Sequence, residues 1–182
     1  MKWLACAVAF VALTVGSAMA QSVSDEFLVT PGKSIGPIQL GMAIPDVVKI
    51  LGTPKRTITN LKSMVLSLPE GSTLFDWPPA VVRPNVTGQT GFAVITGKDG
   101  MVFEVQSPFD ARYHTAEGLH PDSKVQEVTD KLGAPDRQPS APGALFQVYD
   151  RLGLAFVIEN DRQYRNYGKV VGIWVFPPKG PQ

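Results

Sequence analysis

Cysteine is all but missing from this chain: its 182 residues contain one, Cys6. Beyond that residue the sequence can form no disulfide, no thiolate metal site and no cysteine nucleophile. Histidine is almost as scarce, with His114 and His120 the two present, so imidazole is poorly supplied for general-base or metal chemistry. An excess of either charge is also lacking, since 17 Lys and Arg face 16 Asp and Glu. A balanced, unclustered surface offers no electrostatic footprint for nucleic acid. No basic amphipathic stretch points to binding flat on a membrane. After the first twenty residues no apolar run reaches the roughly 20 residues that a helix needs to cross a bilayer.

The long apolar run that does occur is N-terminal. Lys2 gives a basic start, Trp3 to Val15 are apolar apart from Thr14, and Ala18-Met19-Ala20 has the small-x-small pattern of a signal-peptidase site. The expectation is a secretory signal over residues 1–20, cleaved after Ala20, with the remainder periplasmic or secreted and without a transmembrane span. Cys6 has only five residues before it, too few to form the apolar region that lipidation requires. Lys2 is the only charge lost with this segment, so 16 basic residues remain against 16 acidic ones. With 44% apolar residues the chain can bury a real core, and 17 glycines with 16 prolines promise many turns.

A repeated order of short motifs is the strongest internal pattern. Gly41-Met42, an apolar-periodic stretch and Leu51-Gly52-Thr53-Pro54-Lys55-Arg56 are echoed by Gly118-Leu119, a similar stretch and Leu132-Gly133-Ala134-Pro135-Asp136-Arg137. Further on, Gly91 to Ile95 is echoed by Gly153 to Val157, and Met101 to Val105 by Val170 to Val175. The shared order favours duplication over chance. Each stretch predicts a short helix. Pro45 suits a first turn and Val47, Val48, Ile50 and Leu51 form an apolar face, while Ser123 with Gln126 makes a capping box ahead of Val125, Val128 and Leu132. Gly52 and Gly133 supply left-handed stops, and the following prolines forbid continuation.

Strand signals follow each helix. Phe92 and Val94, the Gly97-Lys98-Asp99-Gly100 turn, and Val102 to Val105 predict a hairpin, because Asp-Gly between β-branched and aromatic runs is a strong turn signal. Val65 to Leu68 and Ser72 to Trp77 are earlier strand candidates; 145–150, 154–159 and 170–176 are their counterparts in the second half. The predicted class is α+β, with two tandem repeats, each a short helix packed on a three- to four-stranded antiparallel β-meander. The boundaries are an N-terminal extension over 21–33, a first repeat over 34–106, a linker over 107–117, a second repeat over 118–176 and a tail over 177–182.

The run Ile35-Gly36-Pro37-Ile38-Gln39-Leu40-Gly41-Met42, followed by a helix ending in Leu51-Gly52-x-Pro54 and a meander, resembles the SmpA/OmlA and β-lactamase-inhibitory-protein-like superfamily. The resemblance covers about residues 34–176. It implies a non-catalytic protein-binding module. It departs from that pattern in two ways: there is no lipidated cysteine and no disulfide, so neither the envelope-assembly role nor the inhibitor role carries over.

Residues able to do chemistry are thin on the ground. His114 and His120, with Asp110 and Asp122, could supply metal ligands in principle, but without HExxH or HxH spacing they read as a solvated linker. There is no G-x-S-x-G. Asp99 with Glu104 and Glu159 with Asp161 read as surface charge, and the Gly97–Gly100 turn leads into a strand, so it offers no helix N-terminus to an anion. No catalytic, cofactor or metal residue is assigned.

The two halves differ most in their loops. The first carries an insertion from Pro78 to Thr87. In the second, Asn160 to Gly168 replaces a tight turn and brings Arg162, Tyr164, Arg165 and Tyr167 together. Arginine and the large aromatics dominate binding hot spots, which makes Trp77, Arg83, Arg162, Tyr164, Arg165 and Tyr167 the candidate partner-binding residues. In the blander reading Tyr164 and Tyr167 merely cover the end of the sheet. The functional expectation is an exported, non-catalytic module contacting an envelope or secreted protein. The alternative is a periplasmic protein that holds a small ligand or a metal at the junction of the two repeats.

Overall fold

A computed structural model describes residues 25–77 and 91–180. The expected signal segment and the insertion with Arg83 lie outside the described residues. The elements are β1 (Leu28–Thr30), β2 (Ser34–Ile35), β3 (Ile38–Gln39), α1 (Ile44–Leu51), β4 (Arg56–Ile58), β5 (Thr73–Asp76), β6 (Ala93–Thr96), β7 (Val102–Gln106), β8 (His114–Thr115), α2 (Val125–Leu132), β9 (Ser140–Ala141), β10 (Ala144–Tyr149), β11 (Leu154–Glu159) and β12 (Val170–Val175). Eight of the strands form one sheet in the order β4-β5-β6-β7-β12-β11-β10-β9, and β3-β2-β1-β8 form a second.

This corrects the predicted class. The molecule is mostly β, with two sheets and two eight-residue helices, rather than two helix-on-meander repeats. The strands of the two halves do not close into separate units. β7 and β12 pair antiparallel through Val105↔Val175 and Gln106↔Trp174, which joins strands of both halves into one eight-stranded sheet and leaves no open edge between them. The smaller sheet draws on residues expected to be an extension and a linker: β1 pairs in parallel with β8 through Leu28↔His114 and Val29↔Thr115. Strands of two or three residues are too short to show the alternation by which a strand is read.

The two helices are held alike. In α1 Pro45 occupies the first turn and Val47 is fully buried; in α2 the buried residue is Val128. Ser123 does not cap α2 as expected. Its Oγ accepts the N–H of His120 at 3.1 Å, and the helix begins one residue later, where the Glu127 carboxylate accepts the Lys124 N–H at 3.2 Å. Each helix ends on a glycine at positive φ, Gly52 at 79° and Gly133 at 78°, a conformation that costs other residues a Cβ clash. The carbonyls of these two glycines would otherwise be orphaned. Trp77 Nε1 donates to Gly52 O at 2.9 Å and Tyr149 Oη donates to Gly133 O at 3.0 Å. Burial pushes the Tyr149 hydroxyl up to about 12, which keeps it a donor.

Consecutive strand residues point to opposite faces, and both faces of the large sheet carry a packed apolar cluster. On one, Val94, Val105, Tyr149, Phe156, Ile173 and Val175 pack with Val47 and Val128 of the helices and with Val29, Ile35 and Ile38 of the small sheet. On the other, Phe146, Val148, Ala155 and Phe176 meet Val65 and Leu66. Residues 65–68 are therefore not the expected strand. They belong to an irregular segment in which Ser63 Oγ accepts the N–H groups of Val65 and Leu66, each at 3.1 Å, while the two apolar side chains lie on the sheet. Arg137 clamps this segment to the second half of the chain. Its Nη1 donates to the Val65 carbonyl and its Nε to Asp150 Oδ2 at 2.7 Å, and Lys179 Nζ reaches Asp150 Oδ1 at 3.1 Å. The hydrogen bond from Arg137 holds the Asp150 carboxyl below its ordinary value.

Candidate functional site

The face that carries Val65 and Leu66 is left open at its other end, where β7, β12 and β11 lie side by side. An open pocket of about 410 Å³ is lined there by Gln106, Val157, Glu159, Asp161, Tyr164 and Trp174, among others. Trp174 is braced from one side by Phe146, with ring centroids 5.0 Å apart and planes tilted by 53°. Gln106 reaches the pocket because it sits opposite Trp174 in the β7–β12 pairing.

One wall comes from the loop between β11 and β12, which folds as a chain of turns. Glu159 Oε1 accepts the Asp161 N–H and Asp161 Oδ1 accepts the Gln163 N–H, both at 2.9 Å, and Gly168 N–H returns to Glu159 O at 2.9 Å. Asx-type bonds of this kind shape a loop without a sheet partner. Tyr164 is thereby set into the pocket wall, half-buried. Arg162, Arg165 and Tyr167 are exposed beside it, with the Arg162 guanidinium 5.7 Å from the centre of the Tyr167 ring. Asn166 is buried, and neither of its side-chain amide atoms has a partner among the described residues.

Of the sequence-predicted residues, the structure brings Arg162, Tyr164, Arg165 and Tyr167 to one place. Trp77 is elsewhere, 5% exposed in the core and engaged with Gly52, so it has packing and hydrogen-bonding work and almost no free surface. His114 turns Nδ1 to the Arg112 carbonyl at 2.7 Å and Nε2 to Asp25 Oδ2 at 3.2 Å. His120 Nδ1 lies 2.8 Å from the Pro121 carbonyl. Asp110 pairs with Arg112 and Asp122 with Lys169. These four residues do not converge, and among the described residues no group of three or more His, Cys, Asp or Glu is arranged to hold a metal ion.

Reading the acidic residues from sequence missed two buried carboxyls. Glu104 is 1% exposed and Glu159 is 4% exposed, against the expectation of surface charge. Glu104 lies beside Gln106 on the same face of β7: Gln106 Nε2 donates to its Oε1 at 2.7 Å, while Oε2 has no partner among the described residues. Burial pushes the Glu104 carboxyl up to about 7, with the Gln106 hydrogen bond pulling the other way. The cause lies in the register. The regular β6–β7 ladder sets Ile95 opposite Glu104, so Glu104 faces the same side as Ile95 and away from Val105, and a bulge just beyond sets Thr96 opposite Val102, in a strand where Val102, Glu104 and Val105 are all buried. In such a strand polarity no longer alternates with exposure, and nothing in the local sequence separates Glu104 from a surface acid.

No family model matches the chain, and no curated protein matches it. Among solved structures it is similar to a cysteine-rich secretory protein from Staphylococcus aureus, at 13% identity over 81% of this chain and 47% of that one, with a TM-score of 0.44. The chain spans about half the length of that protein. A likeness at this level carries no argument about function. The expected kinship with the SmpA/OmlA and β-lactamase-inhibitory-protein-like superfamily is corrected, because no comparison supports it. The motif behind that expectation, Leu-Gly-x-Pro after a short apolar helix, is the general chemistry of stopping a helix and does not identify a lineage.

No helix among the described residues is long and apolar enough to cross a membrane.

Proposed function

We propose that this protein is an exported, non-catalytic binding module that contacts a protein partner in the bacterial cell envelope. The contact surface is the pocket end of the large sheet together with the loop between β11 and β12. The observation that carries this reading is the grouping of Arg162, Arg165 and Tyr167, all exposed, around a pocket walled by Tyr164 and Trp174. Arginine and large aromatics around a concavity are the anatomy of a binding hot spot. Export rests on the apolar N-terminal stretch and its Ala18-Met19-Ala20 site. The absence of catalysis is supported by the engagement of His114 and His120 with backbone carbonyls and Asp25.

Site-specific photocrosslinking in cells tests the reading. A photoreactive residue at Arg165 is expected to capture a discrete protein adduct, while one at Ile50, exposed on α1 away from the pocket loop, captures none. The same adducts from both positions, or none from either, would refute it.

A further inference from the structure

Gln106 joins the pocket to a buried acid. Its side chain lines the pocket, and on the same face of β7 its Nε2 donates to Glu104 Oε1 at 2.7 Å. An amide that turns its nitrogen to one neighbour turns its oxygen away from it. That oxygen has no partner among the described residues, so the edge of the amide left to the pocket is its acceptor.

This arrangement serves an ionised Glu104. A carboxylate has only acceptors, and Oε1 receives a charge-assisted hydrogen bond. The protonated acid is not served by it. A proton on Oε1 would meet the N–H already aimed there, and a proton on Oε2 would be buried at 1% residue exposure with nothing to accept it. Turning the Gln106 amide over removes the conflict, because its carbonyl oxygen then accepts the Glu104 O–H. The two ends of an amide are nearly alike in size, so the turn needs no repacking.

Among the described residues no charge stands against Glu104. Ile95 and Ala93 face Glu104 and Gln106 from β6, and Trp174 faces Gln106 from β12. Farther along that row Asp76, opposite Ala93, is held by Arg56 at 3.0 Å. The irregular segment on this face brings Val65 and Leu66, while its Lys62 and Glu70 are exposed. On the far side of Trp174, Glu159 and Asp161 accept from the turns of the β11–β12 loop.

We propose that Gln106 is a proton-controlled part of the contact surface, offering the pocket its carbonyl when Glu104 is ionised and its NH2 when Glu104 has taken a proton from solvent. The inference rests on reading this pocket as part of the contact surface and adds a regulation to it. Partner groups that donate are favoured on the alkaline side, and groups that accept on the acid side.

Neutron diffraction from the deuterated exported protein at about pD 5 and about pD 9 tests this, because it shows deuterons and tells nitrogen from oxygen where X-rays do not. At the upper value Gln106 Nε2 should face an undeuterated Glu104 carboxylate. At the lower value a deuteron on Glu104 should point at Gln106 Oε1. The same amide orientation at both values overturns the proposal, and so does a carboxyl in the same state at both. In solution the Trp174 indole N–H signal, opposite Gln106, should titrate with a midpoint at about 7. That of Trp77, buried against Gly52, should stay still. Glu104→Gln should abolish the Trp174 titration; a titration that survives in this variant, or is missing from wild type, also overturns the proposal. Both measurements use the protein alone, so the two claims fail separately. A missing adduct at position 165 sinks the partner reading and leaves the amide result standing, and an amide that never turns sinks the switch and leaves the adduct standing.

Discussion

Glu104→Gln is the sharpest perturbation this fold offers. Burial lifts the wild-type carboxyl from an ordinary 4.5 to about 7, so the folded protein holds this proton more tightly than the unfolded chain does. The linkage has a definite sign. The stability associated with this group is complete below about 4.5, declines as pH rises between the two values, and levels off above about 7. At about 1.4 kcal/mol per pH unit the full loss is roughly 3 kcal/mol, a large share of the 5–15 kcal/mol or so that holds a typical domain together. Glutamine keeps the shape and keeps an oxygen to accept from Gln106, but it has no charge to bury. Urea unfolding of both proteins at constant ionic strength, from about pH 5 to about pH 8, isolates the effect as a difference. The wild type should lose roughly 2 to 3 kcal/mol relative to Glu104→Gln across that interval, most of it before pH 7. Parallel curves would refute the reasoning, because they would mean that Glu104 ionises as readily in the folded chain as in the unfolded one.

Further outcomes follow from other contacts in the fold. Arg137→Met should cost about 1–3 kcal/mol by leaving the Val65 carbonyl without its donor and the Asp150 carboxylate with Lys179 alone, and hydrogen exchange should rise first over residues 63–68. With Arg137 gone, the loss of stability that wild type shows as pH falls below 3.8, where the depressed Asp150 carboxyl is finally protonated, should shrink in an acid titration. Tyr149→Phe removes one hydrogen bond to a helix-terminal carbonyl and should lower stability by about 1 kcal/mol in thermal or urea melts, and Trp77→Phe should cost more than that, because it also empties buried ring volume. Gly153→Ala should abolish accumulation of folded protein, because at φ +66° its Cβ would stand 2.2 Å from the Phe176 carbonyl oxygen; a normal thermal transition for this variant would contradict that close approach.

Local chemistry in the sequence accounts for the local structure. Apolar residues at helical spacing, stopped by Gly52-x-Pro54 and Gly133-x-Pro135, set the positions of two short helices, and Asp99-Gly100 between apolar runs set the β6–β7 turn. These signals act over a few residues, so they can be read along the chain. The grouping of Arg162, Tyr164, Arg165 and Tyr167 is similarly local, because one loop carries all four.

What the sequence could not disclose is what pairs with what across a distance. The β7–β12 ladder, the parallel β1–β8 pairing and the irregular segment pinned by Arg137 each join residues far apart in the chain, and strands of similar composition could pair in several orders. The burial of Glu104 and its hydrogen bond with Gln106, which sits opposite Trp174, follow from such pairings. The chain by itself determined where short helices and turns begin and end. Tertiary structure alone decided that strands of both halves fuse into one eight-stranded sheet and that an acid in an ordinary strand becomes a buried group, because burial belongs to the packed faces and not to any residue's neighbours in sequence.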